Sequence, residues 1–110
     1  MKLCWKKKRV TPVEANFGDH NYIDRSFRCR NFSYADFSGA HFHKVRFNLV
    51  NLRNATFKGS YLYHVNFNDV SLAGVDFRDA TFNDVTLTRT YLDNLVYPLT
   101  DAQLEQITLV

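Results

Sequence analysis

The stretch VNFNDVSLAGVDFRDATFNDVTL, residues 65–87, places a bulky apolar residue at every fifth position. An α-helix repeats its face every 3.6 residues and a β-strand every 2, so neither element alone explains this period. The spacing continues in both directions, and sixteen positions from Phe17 to Leu92 carry only Phe, Leu or Tyr. All ten phenylalanines of the chain belong to this set. The pattern predicts a backbone that directs one large side chain inward in every five-residue unit.

Two further features of each unit predict how the backbone turns. Two positions before the large residue, a column from Ala35 to Thr90 contains only small or β-branched residues. Residues two apart in an extended segment share a face, so both columns point inward. The two positions after the large residue are rich in Gly, Asn and Asp, which favour turns. Each unit is therefore predicted to be a short extended step followed by a corner, with successive loops stacked about 4.8 Å apart.

Residues 15–94 resemble the pentapeptide repeat proteins, whose consensus unit is Ala-(Asp/Asn)-Leu-x-x, with Phe common at the third position. The units ANFGD (15–19) and ADFSG (35–39) match this consensus closely, and VNFND and VDFRD are variants with Val in first place. The resemblance implies an all-β fold, a right-handed quadrilateral parallel β-helix with four units per turn and about four coils. It implies much less about activity, because the family is united by architecture and not by one function.

Four units per turn would place residues twenty apart on top of one another inside the solenoid. The predicted core ladder consists of Phe17, Phe37, Phe57 and Phe77 on one side and Phe27, Phe47 and Phe67 on another. A charge in this interior would lack both water and a partner. We therefore expect Phe57→Asp to yield insoluble or unfolded protein.

The limits of the repeat predict three segments: an N-terminal cap or basic arm over residues 1–14, the β-helix over 15–94 and a C-terminal cap over 95–110. His20, Arg25 and Arg30 stand where the first coil should carry small residues. Burial of such side chains between coils is too costly, so we expect them at an open end of the solenoid.

A short capping helix is predicted within PLTDAQLEQI, residues 98–107. Thr100 precedes Gln103 by three positions, which is the spacing of a capping box. Leu104 and Ile107 would share one face of this helix. We expect both to lie over the last coil and to cover its exposed backbone, as the end of a solenoid requires.

The charge of the chain is polarised. Residues 1–59 contain twelve basic and four acidic residues, whereas residues 60–110 contain two basic and seven acidic residues. Such a field can orient association with a partner, although a solvated surface is the simpler interpretation. No stretch resembles a transmembrane span or a secretory signal. The two cysteines form no CxxC motif, which favours a reducing compartment, so a cytoplasmic protein is expected, with a secreted effector as the alternative.

Common enzyme motifs do not occur in the sequence, which lacks GxGxxG, a P-loop, GxSxG and HExxH. A narrow tube filled with side chains is also expected to lack the cleft that a small-molecule site needs. The sequence therefore predicts no enzyme, no cofactor and no small-molecule substrate.

One side of the predicted solenoid, made of units 20–24, 40–44, 60–64 and 80–84, carries an unusual number of rings. The predicted binding patch consists of His41, His43, Lys44, Tyr61, Tyr63 and His64. Exposed rings with polar tips are favoured in protein-interface hot spots. The structural alternative is ladder stacking that only stabilises neighbouring coils. No metal site is predicted, because outward columns on a flat wall diverge and a metal needs converging ligands.

These features favour a scaffold that binds a protein partner whose identity the sequence does not specify. The resemblance offers an alternative, because some family members mimic B-DNA in size and charge and bind DNA gyrase. Mimicry requires rows of acidic residues, and Lys58 and Arg78 interrupt the row that contains Asp36, Asp76 and Asp79.

Two further kinds of partner remain open. Direct binding of nucleic acid would use four arginines scattered around the coil, Arg25, Arg28, Arg30 and Arg46, together with the N-terminal lysines. A homodimer would form through a terminus, where Leu109 and Val110 offer an apolar end that two chains could share.

Overall fold

The computed structural model describes the backbone of residues 9–10 and the whole of residues 16–110. In this part of the chain the strands, in order, are β1 (Arg9–Val10), β2 (Asn21–Ile23), β3 (Ser26–Arg28), β4 (Arg30–Asn31), β5 (His41–His43), β6 (Arg46–Asn48), β7 (Tyr61–Asn68), β8 (Thr81–Thr88) and β9 (Ile107–Leu109). Helix α1 (Asp101–Glu105) lies between β8 and β9. Every strand pairing within these residues is parallel.

The register of the pairs defines the pitch of the fold. Phe42 pairs with Leu62, Leu62 with Phe82, and Phe47 with Phe67, so residues twenty apart lie on top of one another. Four five-residue units therefore complete one turn. The chain is a parallel β-solenoid of about four turns, which confirms the predicted fold class.

The four sides of the solenoid are numbered in chain order. Side 1 comprises 16–19, 35–39, 55–59 and 75–79; side 2 comprises 20–24, 40–44, 60–64 and 80–84; side 3 comprises 25–29, 45–49, 65–69 and 85–89; side 4 comprises 30–34, 50–54, 70–74 and 90–94. Coil 1 ends at residue 34, coil 2 at 54, coil 3 at 74 and coil 4 at 94. In each unit the large residue is called central.

The interior is formed by the central column and by the small column two residues earlier. All twelve members of the small column from Ala35 to Thr90 are buried. Central rings stack on the rings of the next coil, with centroids 5.0 Å apart for Phe37 and Phe57. Of the ladder residues named above, only Phe17 is less than buried, and no coil of the described residues lies above it. Removal of this apolar surface from water is the main force that holds the coils together.

The first coil carries exposed polar side chains in the small column. His20, Arg25 and Arg30 are all exposed. The guanidinium carbon of Arg25 lies 5.6 Å from the ring centre of Phe27, and Arg30 lies similarly over Phe32. Cations over ring faces are attracted by the negative face of the π-system. The arm predicted over residues 1–14 lies outside the described residues, apart from β1, whose backbone pairs with β4.

The corners all depend on one backbone conformation. The second residue after each central residue has a positive φ, from 46° at Arg89 to 75° at Gly74. On sides 1 and 4 the corner is also a hydrogen-bonded turn, as from the Ala40 N–H to the Phe37 carbonyl at 3.1 Å. Sides 2 and 3 of the described coils lack this turn hydrogen bond, and β7 and β8 run unbroken through the corner between these two sides.

This difference sets the residues that each side can carry. Hydrogen-bonded turns with a positive φ favour Gly and Asn, and on sides 1 and 4 only Tyr34 departs from Gly, Asn or Asp at that position. The residue before the central one also supports these turns, as when Asp36 Oδ1 accepts from the Ser38 N–H at 2.9 Å. Sides 2 and 3 keep the positive φ without the turn hydrogen bond, and they carry residues such as Lys44 and His64 at the same corner position.

The last coil is covered by α1 and β9. Thr100 and Gln103 form the capping box that their spacing predicts. The expectation for Leu104 is wrong, because its side chain is 48% exposed and Gln103 is buried instead. Ile107 lies beyond the helix in β9, where it pairs with Val85 and packs against the core. The cap therefore ends the stack with a polar side chain and a strand, and not with an apolar helix face.

Candidate functional site

The rings of side 2 lie on two adjacent coils and contact one another. Strands β5 and β7 place His41 opposite Tyr61 and His43 opposite Tyr63. The His43 and Tyr63 rings are stacked, with centroids 4.7 Å apart and an interplanar angle of 12°. The His41 and Tyr61 rings are 6.0 Å apart and tilted by 39°. The parallel register of the solenoid therefore produces two ring pairs side by side.

The two pairs join into one cluster through coil 3. The Tyr61 and Tyr63 rings are nearly parallel at 6.3 Å, and the His64 ring meets the Tyr63 ring edge-on at 4.0 Å. His41 and His64 are exposed, while the other three rings are half-buried. Neither tyrosine hydroxyl is hydrogen-bonded to a residue within the described part of the chain. We call this cluster, with Lys44 at its corner, the ring patch; it comprises His41, His43, Lys44, Tyr61, Tyr63 and His64.

His64 also links the ring patch to coil 4. Its Nδ1 atom lies 2.5 Å from Asp84 Oδ2, and both side chains remain largely in solvent. His64 and Asp84 occupy the same corner position one coil apart, so the pitch of the solenoid brings them together. The contact fixes the edge of the ring patch.

A groove of about 560 Å³ follows the corner between sides 2 and 3. Its floor includes Val65, which is buried, and its walls include Lys44 and His64 on side 2 and Arg46 on side 3. The sequence-based expectation that the tube lacks a cleft is therefore wrong at this corner. The groove exists because side chains on adjoining sides diverge from a small buried residue and leave space between them.

Lys44 and Arg46 are the cations of this groove, and neither forms an ion pair with a described residue. Two arginines elsewhere are engaged by carboxylates: Arg78 binds Asp76 at 2.8 Å, and Arg89 binds Asp69 at 2.8 Å. The sequence contains the signal for the groove, a small buried Val45 between two long cations. That signal was missed because the sequence does not give how far the side chains of adjoining sides diverge at a corner.

The ion pairs change the acidity of their carboxyl groups. Hydrogen bonds from Arg78 hold the pKa of Asp76 below its usual range, and hydrogen bonds from Arg89 do the same to the pKa of Asp69. The partners raise the pKa values of the two arginines in return. Both carboxylates are thus neutralised locally and do not form a continuous acidic row.

Within residues 16–110 no three His, Cys, Asp or Glu side chains are grouped so that they could hold a metal ion. In those residues no helix has the length and apolar character to cross a membrane.

Comparison with known proteins identifies the family. A family model described as pentapeptide repeats (8 copies) matches residues 31–69 and 60–94, which together exceed half of the chain. The chain belongs to the pentapeptide repeat family. A search of curated proteins found no sequence that matches this pentapeptide repeat protein.

The solved structure of another pentapeptide repeat protein shares its fold. HetL, a protein involved in heterocyst differentiation regulation from the cyanobacterium Nostoc sp. strain PCC 7120, is 22% identical with a TM-score of 0.73; the match covers 83% of this chain and 38% of HetL. QnrB1, a plasmid-mediated fluoroquinolone resistance protein, is 20% identical with a TM-score of 0.49, over 80% of this chain and 55% of QnrB1. At this identity the likeness to HetL shows the fold alone, and the chain spans well under half of HetL.

Proposed function

We propose that this pentapeptide repeat protein is a non-enzymatic scaffold that binds a protein partner through the ring patch. The observation that carries the proposal is the contrast between the sides of the solenoid. Sides 1 and 4 place Asn, Asp, Ser or Thr before nearly every central residue, and most of these side chains hold the turns. Side 2 has no such turns to hold, yet it carries four rings at its outward positions on coils 2 and 3.

The ring patch also has the physical properties of a binding surface. Tyr and His present an apolar body with a polar tip, and such residues are enriched where proteins bind one another. The stacked rings are already ordered, so little side-chain entropy is lost when a partner binds. The unbonded hydroxyls of Tyr61 and Tyr63 offer polar contacts to that partner.

The gyrase-binding alternative has weaker support. A DNA mimic needs accessible negative charge in rows, whereas Asp69 and Asp76 are paired with arginines and Asp84 contacts His64. We expect no inhibition of gyrase-catalysed DNA supercoiling at micromolar protein. Inhibition at that concentration, lost when Asp36 and Asp79 are changed to Asn, would favour the mimic over the scaffold.

The test compares two variants that remove surface tyrosines from different sides, half-buried ones on side 2 and exposed ones on side 4. The ring-patch variant is His43→Ala/Tyr61→Ala/Tyr63→Ala, and the control is Tyr34→Ala/Tyr91→Ala on side 4. Each immobilised protein is used to capture partners from a lysate of the source cell. The protein retained by wild type is then purified, and its affinity for all three chains is measured by calorimetry.

We expect the control to bind the partner as tightly as wild type does. The ring-patch variant should bind at least about tenfold more weakly, which is the effect of losing one modest interface hot spot. The stacked His43–Tyr63 pair is worth about 0.5–1.5 kcal/mol, so the ring-patch variant should stay folded with a slightly lower melting temperature. Equal affinity of the ring-patch variant and wild type, with a lower melting temperature, would show that the rings only hold the coils together.

A further inference from the structure

We propose that the groove between sides 2 and 3 binds an acidic peptide segment through Lys44 and Arg46. This proposal rests on the proposed function, because the peptide would belong to the partner that covers the ring patch. It adds a statement about the composition of the partner, whose binding segment would carry carboxylate side chains next to an apolar or aromatic residue that contacts the ring patch.

The two cations are held on opposite walls of one groove. Lys44 is the corner residue that ends the side-2 unit of coil 2, and its φ of 57° turns the chain. Val45 is fully buried, and Arg46 begins β6 on side 3. The buried Val45 keeps both long side chains on the outside, where they line the same cavity.

The neighbouring charges leave these cations available. Asp84 lies at the far end of the groove and is engaged by His64. Asp24 lines the groove one coil from Lys44, but no ion pair joins it to a described residue. Ser26, Asn66 and Thr86 complete the side-3 wall as uncharged polar residues. The cations of the groove therefore lie on coil 2 and its carboxylates lie at the two ends, on coils 1 and 4, so the acidic side chain of a bound peptide would be placed on coil 2.

The shape of the groove fits an extended chain. Its side-2 wall runs from coil 1 to coil 4, three coil steps that amount to about 14 Å at the spacing of paired strands. An extended peptide covers that length with about four residues. Lys44 belongs to both the groove and the ring patch, so a peptide in the groove would place neighbouring residues of the partner against Tyr63 and His43.

The experiment uses a fluorescein-labelled, capped hexaglutamate peptide and the full chain at low salt, with binding followed by fluorescence anisotropy. Capped hexaglutamine is the uncharged control peptide. The test variant is Lys44→Gln/Arg46→Gln. The matched control is Arg53→Gln/Lys58→Gln, which removes the same charge from exposed residues on sides 4 and 1. Circular dichroism and thermal melting verify that both variants are folded.

We expect saturable binding of hexaglutamate, no binding of hexaglutamine, and about a tenfold loss of affinity in Lys44→Gln/Arg46→Gln only. Equal losses in both variants would mean that net charge alone attracts the peptide and would overturn the proposal. Absence of binding would do the same. Tighter binding of inorganic phosphate or of a single-stranded oligonucleotide than of hexaglutamate, with the same dependence on Lys44 and Arg46, would assign the groove to phosphate chemistry and also overturn it.

Failure of this proposal is distinguishable from failure of the proposed function. The ring-patch variant retains Lys44 and Arg46, so it should bind hexaglutamate like wild type. Loss of hexaglutamate binding in that variant would contradict the assignment to the groove. A partner that is captured through the rings while hexaglutamate fails to bind would leave the scaffold function standing and remove the acidic-peptide site.

Discussion

The side-chain amide nitrogen of Gln103 lies 2.9 Å from the carbonyl oxygen of Phe77, 26 residues earlier, and donates a hydrogen bond to it. It also donates to the Ala80 carbonyl at 2.9 Å. In the coils before it, the corresponding carbonyl accepts from the backbone of the next coil, as Ala40 accepts from the Tyr61 N–H. No next coil follows Ala80 at this position, so Gln103 supplies the missing donor.

Gln103→Ala should therefore destabilise the protein by about 2–3 kcal/mol, because it leaves a buried carbonyl unpaired and removes half of the capping box. Leu104→Ala is the control and should cost less than about 0.5 kcal/mol, since this side chain is half exposed. Urea denaturation measures both. A larger cost at Leu104 than at Gln103 would contradict the structure of the cap.

The interior column of side 1 predicts a gradient of sensitivity along the solenoid. Phe57→Ala should cost about 3–5 kcal/mol, because its ring is fully buried between those of Phe37 and Phe77. Phe17→Ala, in the same column, should cost less than half as much, because Phe17 is only partly buried. Phe57→Asp should fail to yield soluble folded protein. Denaturation of the two alanine variants checks the gradient, and equal costs would contradict the lower burial of Phe17.

Two glycines separate the cost of backbone conformation from that of crowding. Gly59 and Gly74 have φ values of 69° and 75°. A Cβ atom at Gly59 would meet nothing within 4 Å, whereas one at Gly74 would collide with the Asn54 side chain. Gly59→Ala should cost about 1–2 kcal/mol for the left-handed backbone alone, and Gly74→Ala should cost more. Gly59→Asn should recover part of the loss, because Asn tolerates this conformation. Thermal melts rank the three variants.

The ion pair of Asp76 and Arg78 predicts a pH dependence. Hydrogen bonds from Arg78 lower the pKa of Asp76 in the folded state, so the pair contributes stability above the unfolded pKa of about 3.9. That contribution is lost as the pH falls through the lower folded pKa. Between pH 5 and pH 2, Asp76→Asn should therefore lose less stability than wild type, while its amide oxygen can still accept from the Arg78 N–H. The free energy of unfolding in urea is measured across this range.

Arg78→Gln removes the other partner and should flatten the pH profile by a similar amount. Wild-type slopes in both variants would show that the pair adds nothing to stability. Asp69→Asn provides a second comparison, because the pKa of Asp69 is lowered by Arg89 from the next coil.

Part of the surface could be predicted from the sequence, and part could not. The stacking of His43 on Tyr63 follows from their spacing of twenty once four units make a turn. The groove beside Lys44 does not follow in the same way, because its depth depends on how the side chains of two sides diverge at a corner. The role of Gln103 was also missed. An amphipathic pattern assigns burial to Leu104 and carries no information about the backbone carbonyls of Phe77 and Ala80, to which Gln103 donates.

The sequence by itself determined the five-residue period, the inward columns, the corners and the capping box, because each of these depends on residues within a few positions of one another. The tertiary structure alone decided the contacts that a spacing of twenty does not give: Gln103 with the carbonyls of the last coil, and Lys44 and Arg46 with one groove. Those contacts depend on the pitch of the stack and on where it ends. Both are properties of all the coils together, so no single repeat specifies them.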